Sequence, residues 1–80
     1  MNLGSSRYSV ELSTAALRQL EKLDDATQTR IRLAFQLLSE RPRPPKAKKL
    51  KGQHGWRVRV GDYRIIYEVF ETKLVIVVLE

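Results

Sequence analysis

The stretch Val60-Gly61-Asp62-Tyr63 constrains this chain more than any other. Glycine at the first of two turn positions, between alternating apolar arms, is the signature of a type II′ hairpin, because glycine takes a positive φ there without steric penalty. A turn of fixed length fixes the register of its arms. Counting outward, Val60 faces Tyr63, Arg59 faces Arg64, Val58 faces Ile65, Arg57 faces Ile66 and Trp56 faces Tyr67. Side chains alternate across a strand, so Trp56, Val58, Val60, Tyr63, Ile65 and Tyr67 share one face while Arg57, Arg59 and Arg64 gather on the other. A second hairpin around Glu71-Thr72 extends the apolar face with Leu74, Ile76 and Val78. It sends Val75, Val77 and Leu79 to the arginine face, beside Glu68, Ile66 and Arg64. A strand apolar on both faces belongs in the middle of a sheet or under a partner.

Helices supply the cover for the apolar face. Tyr8, Val10 and Leu12 alternate with Arg7, Ser9 and Glu11, which predicts a first strand from Arg7 to Leu12. Ser13 can cap a short helix over Thr14 to Leu23, with Ala16, Leu17, Leu20 and Leu23 on one side. Asp25 and Gln28 read as a capping box that opens a longer helix, whose buried stripe is Ile31, Ala34, Phe35 and Leu38. Pro42, Pro44 and Pro45 stop it near Arg41. The expected fold is α+β, in the order β-α-α-β-β-β, with two N-terminal helices packed on one face of a mostly antiparallel sheet. Eighty residues make one domain, 1–80, with a loose lead-in at 1–6 and a basic loop at 41–55.

Charge is concentrated where the hairpin begins. Residues 41–64 hold nine Lys/Arg against one acid, Asp62, and so account for the net charge of +6. Such a field attracts polyanions, nucleic acid above all. Arg59 set opposite Arg64 destabilises a sheet unless an anion offsets the repulsion. Guanidinium groups fork onto phosphate oxygens, so Arg57, Arg59 and Arg64 suit phosphodiester binding or cleavage, and Lys46, Lys48, Lys49 and Lys51 suit contacts to a nucleic-acid backbone. The bland alternative is a solvated basic strand and loop.

Other chemistries find little support. His54 is the sole histidine, which excludes a two-histidine acid–base ribonuclease. The carboxylates Asp24, Asp25, Asp62, Glu68 and Glu71 are scattered, there is no cysteine, and no glycine-rich phosphate cradle occurs, so neither metal nor cofactor is expected. Trp56 belongs to the core by strand parity. No apolar run reaches the ~18 residues of a membrane span, and the N-terminus has no signal-peptide pattern, so a soluble cytoplasmic protein with no membrane partner is expected.

The order of elements, with KKLKG at 48–52, WRVRVGDYRIIYEV at 56–69 and LVIVVL at 74–79, resembles the RelE/ParE superfamily of bacterial toxins. The resemblance spans the chain from about residue 7. It implies a toxin of a type II toxin-antitoxin system. RelE-type members cut mRNA in the ribosomal A site without metal, by attack of a ribose 2′-OH on the adjacent phosphate. A cognate RelB-like antitoxin holds them inactive, and operator DNA is reached only through that antitoxin. On this resemblance Arg57 and Arg59 fill the two basic positions of the first hairpin strand and Arg64 stabilises the scissile phosphate. Lys46, Lys48, Lys49 and Lys51 contact ribosomal RNA, and Val75, Val77 and Leu79 form an apolar strip for the antitoxin. RelE-type members continue past the LVIVVL strand into a segment with a further arginine and a tyrosine or histidine for proton transfer. This sequence reaches Glu80 before them, so an activity lacking its acid–base half is expected. A ParE-like inhibitor of DNA gyrase and a plain basic nucleic-acid-binding module are the alternatives.

Overall fold

In the computed structural model the described residues are 8–52 and 54–80; the lead-in expected at 1–6 lies outside them. Strand β1 (Ser9–Leu12) is followed by helix α1 (Thr14–Glu21), helix α2 (Asp25–Glu40) and strands β2 (Lys48–Lys49), β3 (Gly55–Val60), β4 (Tyr63–Val69) and β5 (Lys73–Leu79). The sheet order is β1-β5-β4-β3-β2, with β1 parallel to β5 and every other pair antiparallel. Strand β5 is therefore interior, as its two apolar faces require. Both helices cover one face of the sheet. Ala16 and Leu20 of α1 and Ile31, Phe35 and Leu38 of α2 are buried together with Val58, Ile65, Tyr67, Val69, Leu74 and Ile76. Among the described residues no helix is long and apolar enough to cross a membrane.

The β3–β4 hairpin has the register counted from its turn, from Val60 opposite Tyr63 to Trp56 opposite Tyr67. Gly61 sits at φ 59°, and no described non-glycine residue has a positive φ, so Asp62 lies on the negative side and the turn is type II′.

Four local expectations are corrected. Helix α1 ends at Glu21 rather than Leu23, where the Lys22 N–H bonds the carbonyls of Gln19 and Leu20. Helix α2 is capped by Asp24 without a side-chain bond, and Gln28 donates to the Leu23 carbonyl at 2.9 Å instead of closing a box with Asp25. The basic loop is not structureless, since Lys48 and Lys49 pair with Arg57 and Trp56 as a short edge strand. Nor does β5 keep strict alternation. A bulge between Ile66 and Tyr67 leaves Val77 as the extra residue, with Tyr67 opposite Ile76 and Ile66 opposite Val78.

That single residue reassigns the end of the strand. Leu79 swings to the core, opposite Ile65 and only 4% exposed, while Val78 moves to the arginine face. Arg64 now exchanges backbone hydrogen bonds with Glu80, N–H to O at 2.9 and 2.8 Å. An acid thus stands where unbroken alternation places a leucine. Two polar side chains of the first helical segment hold the bulged strand. Ser13 accepts from the Ala16 N–H as the α1 cap and donates its own hydroxyl to the Val77 carbonyl. Gln19 pairs with both backbone groups of Leu79.

Candidate nucleic-acid interface

On the sheet face away from the helices, Lys46, Lys48, Arg57, Val58, Arg59 and Arg64 line an open groove of about 330 Å³. The hairpin register creates it, because Arg57 and Arg59 are two apart on β3 and Arg64 lies directly opposite Arg59 on β4. Strand β2 adds Lys48, whose partner across the ladder is Arg57. Arg59 is restrained by donating its Nε to the Gly61 carbonyl at 3.2 Å. The Arg64 Nε lies 3.9 Å from the Glu80 carboxylate, with both side chains about half exposed. Five cations thus converge, with one carboxylate beside Arg64. The lining offers guanidinium and ammonium donors, which can bind phosphate and spread negative charge.

The other predicted site residues are distributed differently. Lys49 pairs with Trp56 across the ladder and so projects to the opposite face, its Nζ 5.5 Å from the centre of the Trp56 ring. Arg43 lies over the same ring at 5.8 Å, a pairing that strand parity alone does not disclose. Lys51 is exposed beyond β2 and does not line the groove. Of the apolar strip, Val75 and Val77 are half-buried, and Leu79 is removed from it by the bulge. Tyr67 is fully buried, its hydroxyl donating to the Pro42 carbonyl at 2.6 Å, and burial pushes its pKa up to about 12 despite the nearby Arg43 charge. It ties the loop to the sheet and faces away from the arginines.

A second hollow of about 440 Å³ lies between α2 and β3, with Ala34, Leu37, Pro44 and Val60 among its apolar lining. It shares Lys46 and Val58 with the basic groove, so the two are contiguous. Leu33 and Leu37 of α2 are 55% and 58% exposed, and Leu37 lines the hollow. The stripe of Ile31, Ala34, Phe35 and Leu38 overlooks them. Two leucines at i and i+4 off the buried stripe were the available signal.

A two-helix layer on a five-stranded, mostly antiparallel sheet is the architecture of RelE structures, and the chain is a toxin of the RelE/ParE superfamily. Residues 10–80 match the ParE toxin of type II toxin-antitoxin systems, parDE, and the chain belongs to that family. It is 29% identical over 75 residues to a putative RelE-like toxin protein of Escherichia coli, covering 91% of this chain and 79% of the relative. Its fold superposes on the archaeal RelE-RelB complex of Pyrococcus horikoshii with a TM-score of 0.84 and 28% identity, over 92% of this chain and 93% of the other. The RelBE2 toxin-antitoxin complex of Mycobacterium tuberculosis gives 0.78 and 29%, over 94% and 91%.

Proposed function

We propose that this chain is a ribosome-dependent endoribonuclease that cuts mRNA in the A site. The ribose 2′-OH attacks the adjacent phosphorus and releases its proton to water, the P–O5′ bond breaks as the leaving oxygen takes a proton from water, and a 2′,3′-cyclic phosphate and a 5′-hydroxyl result. Arg64 neutralises the non-bridging oxygens as charge builds, Arg57 and Arg59 hold the flanking phosphates, and Lys46 and Lys48 extend the contact along RNA. The observation that carries this reading is the five-cation groove on the open face. The experiment is primer extension on mRNA held in programmed 70S ribosomes, comparing this chain with Arg64→Ala. Slow A-site cleavage by the first, as an activity without its acid–base half requires, and none by the second is expected; equal cleavage by both removes Arg64 from the mechanism.

The partner that silences it is a RelB-like antitoxin, as in the complexes of its structural relatives. The α2–β3 hollow with Leu37, contiguous with the basic groove, offers that antitoxin an apolar anchor, and Val75 and Val77 offer a second strip. The match to the ParE family favours a second reading, inhibition of DNA gyrase. Inhibited supercoiling without message cleavage would select it.

A further inference from the structure

At the opposite end of β3 and β4 from the turn, Tyr8, Arg43, His54, Val69, Phe70 and Glu71 surround an open hollow of about 630 Å³. Phe70 is 37% exposed, so one part of its ring is open to the hollow. The His54 ring lies 4.6 Å from it at 37°. A carbonyl oxygen only accepts, so His54 donates Nδ1–H to the Val69 carbonyl at 3.2 Å, and this orients the imidazole against Phe70. Arg43 lines the same hollow and reaches over Trp56, where Lys49 also lies. Two aromatic rings, an imidazole and an arginine around one hollow meet the needs of an unpaired base, which stacks on π-faces while cations hold its phosphate.

We propose that this hollow is a second RNA subsite that takes one unpaired base. The base stacks on Phe70 beside His54 and Tyr8, its phosphate is held by Arg43, and Glu71 accepts a hydrogen bond from its exocyclic amino group. Strand β2 connects the subsite to the basic groove. Its two lysines point to opposite faces, Lys48 to Arg57 and Lys49 to Trp56, so a single strand crossing this edge meets cations continuously. The inference rests on the proposed function only in taking RNA as the polyanion.

The probe is a ten-nucleotide oligoadenylate at low salt, with oligouridylate and an RNA duplex of equal length as comparisons. Phe70→Leu keeps the bulk and removes the π-face; the expected result is about tenfold weaker binding of the single strand with an unchanged salt slope. His54→Ala serves as the second variant. Oligouridylate, which has no exocyclic amino group and stacks less, binds more weakly, and the duplex shows no loss with either variant. Ultraviolet cross-linking should label the tryptic peptides 52–57 and 65–73 in the unmodified chain, and 52–57 and the fused peptide 60–73 in Arg64→Ala. Cross-links confined to peptide 60–64, or full affinity in both variants, overturn the subsite while leaving the cleavage experiment to decide the groove. Loss of antitoxin binding instead of RNA binding overturns it in favour of a protein contact.

Discussion

The side-chain amide of Gln19 forms a reciprocal pair with the backbone of Leu79, donating Nε2 to its carbonyl at 2.7 Å and accepting its N–H at 2.9 Å. A residue of α1 thereby acts as a strand neighbour for β5 beyond the reach of the four-residue β1. Gln19→Ala leaves both groups of a part-buried backbone unpaired, a loss of about 1–3 kcal/mol. For a domain of this size that lowers Tm by roughly 4–8 °C per kcal/mol. Thermal unfolding of the two chains measures it, and an unchanged Tm would mean that water replaces the amide without penalty.

The hairpin was legible because one turn determines it. Gly61 sets the turn type, the turn sets the register, and the register places Arg57, Arg59 and Arg64. The bulge at Val77 was not legible. Counting from Glu71-Thr72 assumes strict alternation, and what breaks it is tertiary: Ser13 and Gln19, about sixty residues earlier, hold the shifted backbone. Lys48 and Lys49 are not legible as a strand for a similar reason. Two residues carry too little periodicity to read, and their pairing with Arg57 and Trp56 is supplied by the hairpin.

Tyr67 gives the molecule an alkaline limit. Its folded pKa is raised to about 12 from an ordinary 10, chiefly by burial, so the neutral form is the stabilising one. Its contribution is fully present below pH 10 and is lost as pH rises through 12, amounting to about 2–3 kcal/mol. Tyr67→Phe loses the bond to Pro42, is less stable at pH 7 by about 1–3 kcal/mol, and falls less steeply above pH 10. Urea titrations of both chains across that range provide the comparison. Parallel pH profiles would show that other groups set the limit.

Leu37 projects from α2 beside the hollow contiguous with the basic groove. Leu37→Glu substitutes a residue of similar helix propensity at an exposed site, so folding stability should change by no more than about 0.5 kcal/mol. A charge at an apolar anchor should weaken the antitoxin complex at least about tenfold. Calorimetric titration of the cognate antitoxin into both chains decides the point. Undiminished affinity would move the anchor to Val75 and Val77.

Arg59 and Arg64, opposite each other, repel in the absence of an anion; among the described residues Arg59 gains the bond to Gly61 and Arg64 the weak pairing with Glu80. Arg59→Gln relieves that repulsion and should leave stability unchanged or raise it by about 0.5 kcal/mol. The same change removes a phosphate ligand, so the slope of log affinity for RNA against log salt should shrink by about one. Glu80→Gln acts in the other direction, freeing Arg64 from a competing carboxylate, and should tighten RNA binding about two- to threefold with little effect on Tm. Opposite signs in binding, with neither variant destabilised, are what a groove built to be completed by phosphate requires. If Arg59→Gln instead lowers Tm by several degrees, the arginine is there for the fold, and the phosphate assignment on this face loses its physical basis.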